Sequence, residues 1–261
     1  MSLRQILSRK TRAPLRRFKH AVMQSLPFGL RQQIINGSLG YLHESSYSSL
    51  RARGFRPGGI VDVGACDGNW ALGIEKFFPG SPILMVEAQA EKAGRLNTVA
   101  QRIGASVEVC LLGSENGRLV DFYVMGTGSS IYPENSDVPW TKRVLRMVTL
   151  DAILCKHPKI AAPLFIKIDA QGAELDILRG ATAGLKLAEL VQLEVALMPY
   201  NQGAPTAYDV FDFMRASGFS ILELAGAGRK KEGWVQADII FARSDSSLRR
   251  SFFPIEPGYC P

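Results

Sequence analysis

The chain has 261 residues, 46% of them apolar and 21% charged, the balance of one globular α/β domain with appendages. No apolar run reaches the roughly 18 residues of a membrane span, and the basic N-terminus lacks the apolar stretch of about 7–15 residues found in export signals. Cys66, Cys110, Cys155 and Cys260 form no CxxC pair and have no His at metal-ligand spacing, so reduced thiols, a cytoplasmic setting and no resident metal are expected.

The net charge of +7 is unevenly placed. Residues 1–57 contain eleven Lys or Arg and one acid, Glu44, so this extension carries +10 and the rest of the chain −3. Within it, Leu3, Ile6, Leu7 and Leu15, Phe18, Val22 recur at helical spacing, interrupted at Pro14 and Pro27. A basic helical extension at 1–57 is therefore expected. Nucleic acid, an anionic membrane surface, an anionic substrate or simple solvation of a helix face would each account for its charge.

The run Arg56-Pro57-Gly58-Gly59 breaks the pattern. Short apolar strands then alternate with helices. Strand Ile60–Val63 is followed by a helix at Asn69–Phe78, and strand Ile83–Val86 by a helix at Gln89–Arg102. A third strand is expected at Val107–Leu112, a fourth at Leu164–Ile168 and a fifth at Leu190–Val195. Helices follow the fourth from Ala173 and the fifth at Thr206–Ala216. Strands at Phe219–Leu224 and Ala237–Phe241 come last, with the glycine-bearing stretch 225–236 read as a loop. Alternation of this kind predicts a mainly parallel sheet covered on both faces, and a final hairpin would add an antiparallel edge strand. The domain should span 58–243, with an insertion at 113–163 and a tail at 244–261. Strand pieces at Val120–Val124 and Val144–Val148 flank the insertion's flexible loop Gly126-Thr127-Gly128-Ser129-Ser130. Such loops, at the carboxyl ends of strands, usually carry ligands.

Four segments carry chemistry. The first is Asp62-Val63-Gly64-Ala65-Cys66-Asp67-Gly68. Its glycines let backbone approach a ligand, and the helix that follows offers N–H groups to a carboxylate. It is neither a Walker A loop nor GxGxxG. Glu87, 23 residues beyond Gly64 at the end of the second strand, suits two adjacent ribose hydroxyls of an adenosine cofactor. Asp169 lies at the mouth of the fourth strand, in Lys167-Ile168-Asp169-Ala170-Gln171-Gly172-Ala173-Glu174. Glu174 falls in a first helical turn, where an acid also suits the dipole. Lys167, inside an apolar strand, pairs with Asp169 or Glu174 or points to an edge. Glu194, flanked by apolar residues in Gln192-Leu193-Glu194-Val195, is either buried and paired or directed into the crevice, and both perturb a carboxyl.

Through these segments, together with Val148-Thr149-Leu150-Asp151, residues 58–243 resemble the FkbM family of S-adenosylmethionine-dependent methyltransferases. The resemblance implies a class I, Rossmann-like methyltransferase fold, S-adenosylmethionine as cofactor, and methyl transfer to a hydroxyl of a sugar, glycolipid or polyketide-like acceptor. Gln171 stands where many members have Glu, so it is a weak candidate for an obligatory base. The amino-acid end of the cofactor is expected near Asp62, Gly64, Ala65, Asp67 and Gly68, its ribose against Glu87 and its adenine beside Ala88. Ser129, Ser130 and Asp169 complete the expected cofactor set.

An alcohol is a poor nucleophile, so a base or a metal should assist in-line displacement. His20 and His43 lie in the extension and His157 reads as a solvated loop residue, which leaves Asp169 as essential and Glu194 as base or orienting group. Joint coordination of a divalent cation by the two ranks below these roles. Three readings compete. An NAD-dependent oxidoreductase lacks its GxGxxG. A non-catalytic adaptor on the same fold should have lost the crevice acids. A nucleic-acid methyltransferase would use the basic arm, yet the core lacks an Asn-Pro-Pro-Tyr-type motif. The expected partners are a small-molecule or glycan acceptor and, through residues 1–35, peripheral contact with an anionic membrane at its inner face. Nucleic acid is disfavoured, and the sequence leaves oligomeric state open.

Overall fold

The computed structural model describes residues 42–250 other than Glu232. The amphipathic segments expected before residue 42, the membrane contact assigned to residues 1–35, and the tail beyond 250 lie outside the described residues.

Helix α1 (residues 42–52) precedes the sheet. Then come β1 (Gly59–Val63), α2 (Asn69–Glu75), β2 (Ile83–Glu87), α3 (Ala93–Ile103), β3 (Ser106–Val109) and β4 (Leu111–Leu112). The insertion carries β5 (Leu119–Val124), β6 (Thr141–Val148) and α4 (Leu150–Leu154). The second half has β7 (Leu164–Ile168), α5 (Glu174–Arg179), α6 (Thr182–Leu187), β8 (Ala188–Ala196), α7 (Ala207–Ala216), β9 (Phe219–Lys230), β10 (Gly233–Arg243) and α8 (Ser247–Arg250).

Seven strands form one sheet in the order β3-β2-β1-β7-β8-β10-β9. β3, β2, β1, β7 and β8 are parallel, and β10 runs antiparallel to both of its neighbours. The strand order reverses between β1 and β7, where the loops at their carboxyl ends part and leave a crevice. Side chains alternate across the sheet. Val61, Val63, Ile166, Ile168, Leu193 and Val195 face α5 and α7, while Ile60, Phe165, Leu190 and Ile240 face α1, α2 and α3, as the period of two in a strand requires. Tyr47 and Leu50 of α1, with Phe55 beyond it, are buried in this second core. The Phe165 ring meets those of Tyr47, Phe55, Trp70 and Phe78 at steep angles.

Two expectations are corrected. The third strand, expected to run from Val107 to Leu112, divides at Cys110. β3 pairs with β2, whereas Leu111 and Leu112 pair with β6 in a separate three-stranded sheet, β4-β6-β5. Burial explains the turn. The residues of β3 are partly exposed, while Leu111 is buried with Phe122 and Met147 in a small core of their own. The stretch 225–236 is not a loop but the far half of a long hairpin, β9 and β10, whose strands end at Lys230 and Gly233. Its glycines answer to side-chain clearance. A Cβ on Gly226 would lie 2.7 Å from His43 Cε1 as well as against Asp238, and one on Gly228 would lie 3.0 Å from Gln236 Cγ.

Candidate functional site

The chain leaves β1 through a turn that only glycine permits at Gly64. Its φ is +72°, and a Cβ there would fall 1.8 Å from the carbonyl oxygen of Asp169, well inside van der Waals contact. β1 and β7 therefore touch backbone to backbone at the crevice. Cys66 also adopts a left-handed conformation, φ +49°, which is uncommon outside glycine and marks a turn held in place by its surroundings. Its N–H donates to Glu87 Oε2 at 2.8 Å, and the N–H of Gln89 donates to Oε1 at 2.9 Å. Glu87 is buried, and its carboxylate is thus aimed by two backbone donors while keeping lone pairs for further donors.

The turn after β7 is closed by Glu174. Its Oε1 accepts from the N–H of Ala170 at 2.9 Å and of Gly172 at 3.2 Å. Burial pushes the Glu174 carboxyl up to about 7, against the pull of those backbone donors. Inside this turn Gln171 sits at φ +53°. Lys167, buried in β7, is paired with Asp62 at 3.2 Å and Asp169 at 3.4 Å. Burial alone would lower its pKa, but the charges of Asp62, Asp169 and Glu194 outweigh that and hold the ammonium protonated. Asp62 has no exposed surface, and neither carboxylate oxygen has an aligned hydrogen bond. Its ion pair with Lys167 is what compensates its burial.

Glu194 lies one strand further along, in β8. Oε2 accepts from Gln171 Nε2 at 2.6 Å, Oε1 accepts from Gln236 Nε2, and the same Gln171 amide donates to Asp169 Oδ1 at 3.0 Å. One amide thus bridges the two carboxyls. Burial, followed by the neighbouring Asp169 charge, pushes Glu194 up to about 9.

These groups open into one cavity of about 590 Å³ at the carboxyl ends of β1, β2, β7 and β8, a size suited to a cofactor with its substrate. Gly64, Glu87, Ala88, Ser129, Ser130, Asp169 and Glu194 all line it. Asp62, Ala65, Asp67 and Gly68 do not. Asp62 lies beneath the floor with Lys167, Ala65 is buried in the core, Asp67 pairs with Lys92 at 3.0 Å, and Gly68 caps α2 in a left-handed conformation. The insertion supplies the roof. Ser130 Oγ donates to Ala170 O at 3.3 Å, Tyr132 Oη donates to Asp176 Oδ2 at 2.8 Å, and the Asn135 N–H donates to Tyr200 O at 2.7 Å. Ser129 instead folds back on its own turn, donating to Gly126 O at 2.9 Å. His157 is held by Glu108 at 2.8 Å, on β3.

Sequence reasoning missed Gln89, which is buried and donates to Gly126 O at 3.1 Å, thereby tying the roof to the end of β2. Its spacing two residues after Glu87 was an available signal. Gln236 was missed because its segment read as a loop. The lining includes four carboxylates, Glu87, Glu134, Asp169 and Glu194, and among its described residues no Lys, Arg or His.

Residues 62–221 match the methyltransferase FkbM domain. Among solved structures, the chain is similar to a methyltransferase FkbM from Methylobacillus flagellatus KT, with a TM-score of 0.45 and 19% identity over 75% of this chain and 47% of that one. The chain thus spans about half the length of that protein. It is also similar to magnesium protoporphyrin IX methyltransferase from Synechocystis PCC 6803 with bound SAM, with a TM-score of 0.48 and 13% identity over 84% and 86% of the two chains. The third is an O-methyltransferase from Bacillus cereus in complex with SAH, with a TM-score of 0.45 and 13% identity over 79% and 81%. No curated protein matches the chain.

Proposed function

The chain belongs to the FkbM family of methyltransferases, and from that premise we propose that it moves a methyl group from S-adenosylmethionine to the hydroxyl oxygen of a small-molecule or glycan acceptor. The observation that carries this reading is the acidity of the cavity, whose described lining holds four carboxyl groups, Glu194 among them kept protonated at neutral pH by burial, and no basic side chain. S-adenosylmethionine brings a sulfonium and an ammonium and suits such a lining. A dinucleotide would bring a diphosphate into it without a counter-charge.

The residues present fit the group. Gly64 leaves the backbone of the first turn open at the crevice, where a side chain would collide with Asp169 O. Glu87 is oriented by two backbone N–H groups and retains acceptor capacity for ribose hydroxyls. Bound there, the cofactor supplies the electrophilic methyl. The same charge argument selects the acceptor. A carboxylate or phosphate acceptor would stand among like charges, whereas a neutral hydroxyl needs only a group to receive its proton. Asp169, paired with Lys167, supplies fixed negative charge, and Glu194 is the residue that receives the proton once it is ionised. A carboxyl raised toward 9 is a stronger base than an ordinary one.

Calorimetry with S-adenosylmethionine and with NAD tests the cofactor, and only the former should bind. Glu87→Ala should weaken that binding by roughly 1–3 kcal/mol, and unchanged affinity would remove Glu87 from the site. Labelled cofactor offered with hydroxyl-bearing and carboxylate-bearing acceptors tests the rest. Label transfer to carboxylates alone would overturn the acceptor assignment.

A further inference from the structure

We propose that Gln236, on β10, is a positioning residue for Glu194, and that the irregular end of the β9–β10 hairpin is built to aim it. This inference rests on the reading of Glu194 as a working carboxyl. Gln236 lies outside the matched domain, which ends at residue 221.

Three observations converge on this residue. Gln236 Nε2 donates to Glu194 Oε1, so the two carboxyl oxygens are each held by an amide, one from the turn after β7 and one from β10. The β10 pairing slips immediately before it. Trp234 faces Arg229 and Gln236 faces Gly228, which leaves Val235 as an extra residue on β10. A bulge of this kind re-aims the side chain that follows it. Directly across from Gln236 the chain carries Gly228, where a Cβ would press on Gln236 Cγ at 3.0 Å. Glycine weakens a strand interior, and here its missing side chain is the space the Gln236 stem occupies. The next inward-facing pair repeats the device. Gly226 faces Asp238, whose carboxylate lies 3.3 Å from His43 Nε2 of α1.

The groups facing Glu194 are Lys167 from β7, Asp169 from the turn after it, Glu174 from α5, Asp238 from β10 and Tyr200 from the segment after β8. The carboxylates and burial all oppose its ionisation, and Lys167 is already engaged by Asp62 and Asp169. The Lys167 ammonium favours the charged form from a distance, and the two amide donors favour it at the carboxyl itself, one on each oxygen. Removing the Gln236 donor should push the carboxyl further up and free it to rotate.

The experiment is a 13C titration of the full-length protein labelled at glutamate Cδ, with the Glu194 resonance assigned by its loss in Glu194→Gln. Gln236→Met keeps the length of the side chain and deletes the donor. It should move the Glu194 midpoint upward by about one pH unit, with the thermal midpoint little changed. Gly228→Ala, which leaves both side chains of the pair in place, should move it in the same direction by crowding the Gln236 stem. A Glu194 midpoint unmoved in Gln236→Met overturns the proposal, whatever Gly228→Ala does. With an acceptor identified, the rising limb of the pH–rate profile should shift with the titration while cofactor affinity stays constant. The failure of the underlying reading looks different. If Glu194→Gln transfers methyl groups at the normal rate, Glu194 is not the proton acceptor, and the titration still reports whether Gln236 holds it.

Discussion

Lys167 shows how strongly one side chain governs the charges below the cavity. It is buried, stacks 5.8 Å from the centre of the Trp70 ring and pairs with both Asp62 and Asp169. Asp62 has no hydrogen-bond partner to fall back on. Lys167→Met should therefore destabilise the fold by about 3–5 kcal/mol, because it strands a buried charge rather than deleting a contact. The double variant Asp62→Asn/Lys167→Met should recover much of that loss in urea unfolding. Equal stability of the single and double variants would show that the pair carries no such burden. At this scale the sequence was informative where a residue's own strand announced it. Asp169 and Glu87 end apolar strands, so their approach to the crevice followed from position. Asp62 lies one residue before the end of β1, and its neighbour Lys167 is a strand away in space and 105 residues away in the chain. No local pattern encodes that pairing. Gln171 was discounted as a weak base, and its amide turns out to be the link between the two carboxyls.

At the scale of elements, α1 is joined to the sheet by aromatic rings, by the His43–Asp238 contact and by a buried polar chain. Trp70 Nε1 donates to Tyr47 Oη at 2.8 Å, and Tyr47 Oη donates to Gln192 Oε1 at 2.9 Å. Burial raises the Tyr47 hydroxyl well above its usual range, so it stays a donor. Tyr47→Phe leaves Gln192 without that donor in a buried setting, and a loss of about 1–3 kcal/mol is expected. Phe165→Ala removes the ring that four others meet and should cost about 3–5 kcal/mol. Chemical unfolding of both variants checks the ranking, and a Tyr47→Phe loss exceeding that of Phe165→Ala would contradict it. The sheet was legible because the parallel strands β1, β2, β7 and β8, buried on both faces, read as short apolar runs. Element ends were less so. The helix after β1 stops at Glu75 rather than Phe78, and the last hairpin was cut short because glycine signals a turn by composition whether it serves a turn or makes room for a neighbour. Gly226 and Gly228 do the latter, and only the partner strand reveals it.

Across the whole molecule, charge is segregated. The extension 1–57 holds +10 and the remainder −3, and the cavity lining is acidic. We expect the full chain to bind anionic vesicles in a salt-dependent way, and binding to vanish on deleting residues 1–35. Equal binding by the truncated protein would assign the arm to solubility instead. Among the described residues no helix is long and apolar enough to cross a membrane.

The acidity of the interior has a consequence for stability. Burial raises Glu174 from its ordinary 4.5 to about 7 and Glu194 to about 9. Because both folded values exceed the unfolded one, the folded protein retains protons that the unfolded chain has already released. The associated stability is complete below about pH 4.5 and declines as pH rises. For Glu174 the decline ends above about pH 7, and for Glu194 above about pH 9. Retaining a proton across one pH unit is worth about 1.4 kcal/mol, so Glu174 alone accounts for a fall of a few kcal/mol. Unfolding free energies measured in urea at pH 5 and pH 8 should thus fall with pH in the unmodified protein. Glu174→Gln keeps an acceptor for the Ala170 and Gly172 N–H groups but cannot ionise, so its fall over that interval should be smaller by that amount. The remainder, which persists to higher pH, should disappear in Glu194→Gln. If Glu174→Gln loses stability between pH 5 and pH 8 as steeply as the unmodified chain, the buried carboxyl is not the group that titrates there.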